Sequence, residues 1–169
     1  MVGPKHRVNW LAVENGTNML AQHLMHCGTF DNVLVLARGG MVVGCMLAHA
    51  LKIRNVSTVS VRSYDDNGNK SSVSFTTIPK LPHGRTIIVD DIADTGASLN
   101  QLLTFAGRDP LRRREPRLDS LQVVTLYAKP AGAPLVDYYA FYVQQEVWVE
   151  FPWEAELPDV RALYGKGGL

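Results

Sequence analysis

The sequence predicts one α/β domain built on a central, mostly parallel sheet with helices on both of its faces. Two short segments, 33–37 and 86–89, are continuously apolar, which is typical of strands buried on both faces. Helical patterns lie between the predicted strands, and this alternation favours parallel pairing through crossover helices. Such sheets bind ligands beyond the carboxyl ends of their strands, so the residues that follow each strand form the candidate site.

The composition is that of a single globular domain. The chain has 169 residues, of which 46% are hydrophobic and 20% charged, and its formal net charge is +1. These values argue against disorder and give no reason to expect a nucleic-acid partner. The longest apolar stretch, 41–48, is too short to cross a bilayer, and no signal-peptide core follows the basic N-terminus. We expect a cytoplasmic protein in which Cys27 and Cys45 are buried, reduced thiols.

The elements follow one another in regular order. Asn9 is placed to cap the first helix, although Asn15-Gly16 weakens that prediction. Three helices are predicted, over 10–26, 41–51 (a buried helix) and 98–106. Five strands are predicted, over 33–37, 56–63, 86–89, 121–128 and 139–143, and 73–77 is the returning arm of a hairpin. We treat residues 1–169 as one domain that ends in a frayed tail over 160–169.

Segment 86–98 carries the strongest functional signal. A buried strand delivers two adjacent carboxylates, Asp90 and Asp91, and a glycine-containing loop over 95–98 then enters a helix. The backbone N–H groups of a helix N-terminus favour a phosphate, and the hydroxyls of Thr95 and Ser98 add donors. Carboxylates would repel that phosphate unless they bound another part of the same ligand. Carboxylates bind sugar hydroxyls and Mg²⁺, so a ribose 5-phosphate fits both the acidic pair and the loop at the helix N-terminus.

The alternative for this segment is an ordinary turn between a strand and a helix, with a capping hydroxyl and acidic side chains in solvent. Dinucleotide-binding and P-loop motifs are absent from the sequence. Two acids at a strand end, followed by Asp94, favour the phosphate site.

Segment 86–98 resembles the 5-phosphoribosyl 1-pyrophosphate (PRPP) signature of type I phosphoribosyltransferases. Further segments resemble the bacterial xanthine-guanine members of that family, namely 37–40, 63–65 and 128–137 with Gln145, Trp148, Glu150, Pro152 and Trp153. The resemblance covers about residues 8–153. It implies the type I fold, with a small hood and a flexible lid loop over 64–72. It also implies an Mg²⁺-dependent purine salvage enzyme that joins guanine, xanthine or hypoxanthine to PRPP.

The resemblance implies that residues 90–98 bind the ribose and its 5-phosphate. Asp90 and Asp91 would bind the ribose hydroxyls, directly and through Mg²⁺, and their charge would favour the developing cation. Asp94 would exchange a proton with purine N7, and the alternative for this residue is a helix N-cap. The 5-phosphate would be held by Asp94, Thr95, Gly96, Ala97 and Ser98.

The same resemblance implies that pyrophosphate is bound by the loop after the first predicted strand and by the lid. Arg38 and Gly39 would bind it, and Lys70 in the lid would approach it where the family usually carries arginine. The alternatives are a plain turn with a surface arginine at 38–40 and an ordinary solvated hairpin at 64–72. A closed lid would keep water from the reacting carbon.

The purine would be recognised by four residues near the C-terminus. Lys129 would donate to O6, which would reject adenine because an amino group there sets donor against donor; its alternative is an exposed lysine. Trp148 would stack on the base, and the backbone of Val149 and Glu150 would read the 2-position edge. Trp153 is expected to be a packing residue.

The sequence departs from the family in places, including Val43 for proline and Ala97-Ser98 for Gly-Thr. An apparent insertion over 107–119 carries five arginines, which could bind RNA, an anionic membrane surface or an acidic partner; a solvated loop is the plainer interpretation. A second hypothesis is a regulator that keeps this fold as a PRPP or nucleotide sensor. Because Lys129, Asp94 and the acidic pair are all present, we favour the enzyme. The family implies a homodimer or homotetramer.

Overall fold

The computed structural model describes residues 3–62, 74–75, 83–106 and 120–154. Within them lie three α-helices: α1 (Trp10–Cys27), α2 (Gly40–Ala50) and α3 (Ala97–Phe105). The eight strands are β1 (Lys5–Arg7), β2 (Asn32–Ala37), β3 (Asn55–Arg62), β4 (Ser74–Phe75), β5 (Thr86–Ala93), β6 (Leu121–Ala128), β7 (Tyr138–Tyr142) and β8 (Trp148–Glu150). Two short 3₁₀ turns lie at Ala133–Leu135, between β6 and β7, and at Pro152–Glu154, after β8.

The main sheet has the strand order β4-β3-β2-β5-β6-β7. All neighbours pair in parallel except β4, which runs antiparallel to β3. From β2 the chain moves outward to β3, whereas from β5 it moves in the opposite direction to β6. The boundary between β2 and β5 is therefore a topological switch point, the place where open α/β sheets form a ligand crevice.

Hydrophobic side chains form one core on each face of this sheet. On one face α1 and α2 pack against β2, β5 and β6, and the buried contacts include Leu20, Leu47 and Val89. On the other face α3 packs through Leu99 and Leu102 onto a second cluster. The continuous apolar runs are thus explained, because β2, β5 and β6 are covered on both sides.

A separate two-stranded ribbon forms beside the sheet and is called the hood here. It consists of β1 and β8, which pair in parallel with Lys5 opposite Trp148 and Arg7 opposite Glu150. Both carboxylate oxygens of Glu150 are engaged, with Lys5 at 2.7 Å and with Arg7 at 2.9 Å. Neither strand was predicted, because segments of three residues are too short to show a period.

Most predicted elements are confirmed to within two residues, including the cap of α1, where the Ala12 N–H donates to the Asn9 side chain at 2.8 Å. The helix continues through Gly16 because the glycine packs against Leu126 and Phe141, where a Cβ atom would not fit. The antiparallel pairing of β3 with β4 confirms the two arms of the hairpin. The hairpin tip, the arginine-rich insertion and the tail lie outside the described residues.

Two predictions are wrong in ways that matter for the site and the surface. The strand over 86–89 does not end at the acidic pair but continues to Ala93, paired with β6 along that length. Cys45 is exposed rather than buried, because α2 buries only one of its faces. Met41, one turn earlier in the helix, is also half exposed. These two residues line an open groove of about 700 Å³ between α2 and β3. Over the described ranges, no helix is both long and apolar enough to cross a membrane.

Candidate active site

The crevice opens where β2 and β5 stop pairing. Their ladder ends at Val35 opposite Val89, and beyond it β2 pairs only with β3 while β5 pairs only with β6. The segments that follow β2, β5, β6 and β7 all emerge at this edge of the sheet. They carry Arg38, Asp94, Lys129 and Gln145. Parallel pairing therefore gathers at one place residues that are about 100 positions apart in the chain.

The loop after β2 lies directly on β5. A Cβ atom at Gly39 would overlap the carboxylate of Asp91, and one at Gly40 would lie 2.6 Å from the Val89 carbonyl oxygen. The two glycines are thus required for close approach of the loop to the acidic pair. The peptide bond between Ala37 and Arg38 is cis. Arg38 itself is exposed, so both the pyrophosphate role and the surface-arginine alternative remain compatible with its position.

Asp90 and Asp91 form an acidic pair at the crevice. The Asp91 N–H donates to Asp90 Oδ1 at 3.0 Å, and the Ile92 N–H donates to Asp91 Oδ1 at 2.8 Å. Burial raises the pKa of Asp90 well above its usual value, and the neighbouring charge of Asp91 raises it further. Burial also raises the pKa of Asp91 to about 6, with hydrogen bonds from Asp90 and Ile92 opposing the shift. Both shifts disfavour a pair of ionised carboxylates in the absence of a cation.

The chain enters α3 through a left-handed glycine. Gly96 has a φ of 77° and occupies the N-cap position, so α3 begins at Ala97. The Ala97 N–H donates to Thr95 Oγ1 at 3.3 Å. The alternative of Asp94 as the helix cap is therefore wrong, and Asp94 makes its contacts elsewhere. Thr95, Gly96, Ala97 and Ser98 do lie together at the helix N-terminus, as predicted.

Lys129 is a buried cation that faces Asp94. It is 4% exposed, and its Nζ lies 3.1 Å from Asp94 Oδ1. The alternative of an exposed lysine is wrong. The two residues follow neighbouring strands that are held together at their ends, since the Lys129 N–H donates to the Ala93 carbonyl oxygen at 3.0 Å. Close packing of the next turn reinforces this contact, because a Cβ atom at Gly132 would overlap the same carbonyl.

Gln145 is the third member of this group. Its Nε2 donates to Asp94 Oδ1 at 2.9 Å, and its Oε1 accepts from the Ala131 N–H at 3.0 Å. The sequence singled out Gln145 only through the family resemblance and gave it no role. No periodicity could have found it, because it lies in the loop between β7 and β8 and its partners are distant in the chain.

The hood holds the remaining predicted purine residues. Trp148 is 54% exposed, whereas Val149 is buried. The Glu150 carbonyl oxygen accepts from the Val8 N–H at 2.9 Å, so one of its two lone pairs is already occupied. Trp153 stacks on Phe151 with ring centroids 4.7 Å apart, which confirms it as a packing residue. Lys70 lies outside the described residues, and within the described parts of the chain no three metal-ligating side chains cluster.

A protein-family model described as the phosphoribosyl transferase domain matches residues 9–159, most of the chain and the whole of the crevice. The chain belongs to the phosphoribosyltransferase family. Its architecture is that of the type I members, with a five-stranded parallel sheet, one antiparallel edge strand and helices on both faces.

Solved structures share the fold of this phosphoribosyltransferase along nearly its full length. A purine phosphoribosyltransferase from Pyrococcus horikoshii is 28% identical, with 91% of this chain and 95% of that chain covered and a TM-score of 0.69. A xanthine-guanine-hypoxanthine phosphoribosyltransferase from Helicobacter pylori is 19% identical, with 96% and 98% covered and a TM-score of 0.70. A hypothetical protein from Neisseria gonorrhoeae with bound ppGpp is 19% identical, with 92% of each chain covered and a TM-score of 0.69.

Proposed function

We propose that this protein transfers the phosphoribosyl group of PRPP to N9 of a 6-oxopurine and releases pyrophosphate. The observation that carries the proposal is the buried ion pair between Lys129 and Asp94 at the crevice. It sets a cationic donor beside a carboxylate acceptor, which matches O6 and a protonated N7 on one edge of guanine, hypoxanthine or xanthine. Adenine would place an amino donor against the ammonium group. The similar purine phosphoribosyltransferase from P. horikoshii supports a purine substrate, and the similar H. pylori structure is named for xanthine, guanine and hypoxanthine.

The chemistry is a displacement at the anomeric carbon of the ribose. The N9 lone pair forms the new bond to C1′, and the electrons of the C1′–O bond leave with pyrophosphate. The positive charge that develops on the purine is relieved as its N7 proton passes to Asp94. Arg38 balances the negative charge of the leaving pyrophosphate, and Lys70 supplies a second positive charge for the same purpose. The negative charge of Asp90 and Asp91 favours the oxocarbenium-like transition state.

The acidic pair fits a hard divalent cation. Burial and mutual repulsion destabilise two ionised carboxylates, and a cation would offset both costs. Mg²⁺ favours one or two carboxylates completed by water and substrate oxygens. Asp90 and Asp91 would therefore hold Mg²⁺, which when bound supplies charge stabilisation to the pyrophosphate group.

Steady-state assays with PRPP and Mg²⁺ test the proposal. Guanine, xanthine, hypoxanthine and adenine are offered separately, and both nucleotide and pyrophosphate are measured. We expect turnover of at least one 6-oxopurine, no adenine product and loss of activity with a chelator. Lys129→Met should lower kcat/KM for that 6-oxopurine by roughly 10²-fold or more, because a site built around one buried donor loses its recognition of the oxygen.

The matched control is Lys52→Met, which removes an exposed lysine at the end of α2 and should leave the kinetics unchanged. Calorimetry with PRPP should show that Lys129→Met still binds the ribose ligand, because Lys129 is proposed to contact the base and not the ribose or its phosphates. Equal turnover of adenine and guanine, or full activity of Lys129→Met, would refute the proposed substrate class.

A nucleotide-sensing regulator is the second candidate, and the similar Neisseria protein with bound ppGpp favours it. If no base reacts while guanosine tetraphosphate or PRPP still binds tightly, the regulator explains the site better than the enzyme. The complete set of Lys129, Asp94 and the acidic pair favours the enzyme, because a sensor has no need of a proton acceptor.

A further inference from the structure

The amide of Gln145 has only one orientation that satisfies its neighbours. Ala131 presents a backbone N–H, which can only donate, so the amide oxygen must face it. The NH₂ group then faces Asp94, where it donates to Oδ1 at 2.9 Å and lies 3.5 Å from the backbone carbonyl oxygen. Gln145 thus connects the loop after β5 to the turn that begins at Lys129, and its orientation is fixed by that turn.

Two donors meet on the same oxygen of Asp94. Lys129 Nζ lies 3.1 Å from Oδ1, and Gln145 Nε2 lies 2.9 Å from it. Among the residues that the structure describes, Oδ2 has no hydrogen-bond partner. One carboxylate oxygen is therefore held from within the protein while the other is available to a ligand.

We propose that Gln145 is a positioning residue that keeps the Asp94 carboxylate in place when Lys129 turns to the purine oxygen. This inference rests on the proposed function, in which Lys129 moves its donor to O6 as the base binds. Without Gln145, that movement would leave Oδ1 without a partner and free the carboxylate to rotate. With Gln145, Oδ1 remains held and Oδ2 stays directed at N7.

The neutral amide is the suitable group for this task. A second cation would bind Asp94 strongly and weaken its action as a proton acceptor, whereas a carboxylate would repel it. An amide donates a hydrogen bond to the carboxylate without neutralising it. Proton transfer to Asp94 therefore requires the NH₂ donor of Gln145, and a side chain of the same length without that donor is not sufficient.

Two variants of Gln145 distinguish the loss of its NH₂ donor from the loss of both of its hydrogen bonds. Gln145→Glu keeps an oxygen that accepts from the Ala131 N–H but replaces the donor that faces Asp94 with a second acceptor. Gln145→Met keeps the length of the side chain and removes both hydrogen bonds. Gln144→Ala is the matched control, because Gln144 is the adjacent exposed glutamine and, within the described part of the chain, only its backbone carbonyl forms a hydrogen bond.

Steady-state kinetics with PRPP and the 6-oxopurine that the wild type turns over fastest give the readout. Both Gln145 variants should lose roughly 10- to 100-fold in kcat, the range expected for one hydrogen bond to a charged group. KM for PRPP and the thermal midpoint should stay at the wild-type values. In the Asp94→Asn background the same substitutions should cost less than about twofold, because the carboxylate that they act through is gone.

The outcomes distinguish this proposal from the proposed function. Absence of turnover of guanine, xanthine and hypoxanthine alike by the wild type would overturn the function itself. Turnover by the wild type with unchanged kcat in Gln145→Glu would overturn the role of Gln145 alone. An equal loss in the wild-type and Asp94→Asn backgrounds would also overturn it, because the residue would then act on the loop and not through Asp94.

Discussion

A Cβ atom at Gly39 would overlap the carboxylate of Asp91, so the contact between the two loops depends on a missing side chain. A second contact depends on Lys129, a buried cation that the fold tolerates because its Nζ lies 3.1 Å from Asp94 Oδ1. At the residue scale the crevice is therefore built from a close approach and an ion pair. Trp148 is different, because its side chain is largely in solvent without a ligand.

Replacement of Trp148 by alanine tests the stacking role. The side chain is 54% exposed, so its removal should leave the stability of the fold nearly unchanged. Stacking on a base is worth ~1–3 kcal/mol, so we expect KM for the purine to rise by roughly one to two orders of magnitude while KM for PRPP stays constant. Steady-state titrations of both substrates measure the effect.

Trp10→Ala provides the comparison for Trp148→Ala. Trp10 is 57% exposed and lies at the start of α1, where it contacts Trp153. Its removal should not change the purine KM. Equal effects of the two substitutions would exclude stacking by Trp148.

At the scale of the element, β5 does more than deliver two acids to its end. It remains a strand through Ala93 because β6 continues to pair with it after β2 has diverged. The acidic pair is thereby fixed in extended backbone, with one edge covered and the other edge open to the crevice. Burial then raises the pKa of Asp91 to about 6.

This raised pKa has a defined effect on stability. An unfolded aspartate titrates near ~4, so between about pH 4 and pH 6 the folded state binds more protons than the unfolded state. The stability that Asp91 contributes is thus fully present below about pH 4 and is lost as pH rises through about 6. Asp91→Asn removes the titration and should be more stable than the wild type at pH 8, by on the order of 3 kcal/mol.

Urea denaturation at pH 5, 6, 7 and 8 measures this difference. The advantage of Asp91→Asn should shrink towards pH 5, and Mg²⁺ with PRPP should stabilise the wild type more than the variant at pH 8. A difference that is constant with pH, or that grows towards acid, would contradict the assigned cause.

At the scale of the whole molecule, the hood joins the two ends of the described chain. Glu150 bonds Lys5 and Arg7, and His6 Nε2 is hydrogen-bonded to the Tyr127 hydroxyl at 3.2 Å. Because β8 pairs with β1 and carries Trp148, the N-terminal strand supports the residues proposed to bind the purine, and it is not itself expected to touch the base. Its contribution should appear in base binding and not in PRPP binding.

Deletion of residues 1–7 tests that contribution. Val8 remains to fill its place in the core, but β8 loses its partner strand. Fixing one backbone residue costs ~1–2 kcal/mol, so the released β8 should raise the purine KM by roughly tenfold. Kinetics for both substrates provide the test, and a PRPP KM that rises equally would indicate a general loss of structure.

Local signals in the sequence determined the scaffold. Continuous apolar runs predicted β2 and β5, and the cap at Asn9 and the helical spacing predicted α1, because these features need only neighbouring residues. The rule that ligands bind at strand ends then located Arg38, Asp94 and Lys129 at one edge. The family resemblance added their expected partners, and the family itself is now shown by the match over residues 9–159.

Which residues meet, and how deeply they are buried, depends on how the elements pack in three dimensions. The hood pairs segments more than 140 residues apart, Gln145 reaches Asp94 across two loops, and Lys129 is buried where its ammonium faces Asp94. Cys45 was misjudged because an apolar sequence does not reveal that one face of α2 is left uncovered. Period and composition are local properties, whereas pairing, exposure and hydrogen-bond partners depend on parts of the chain that meet only after folding.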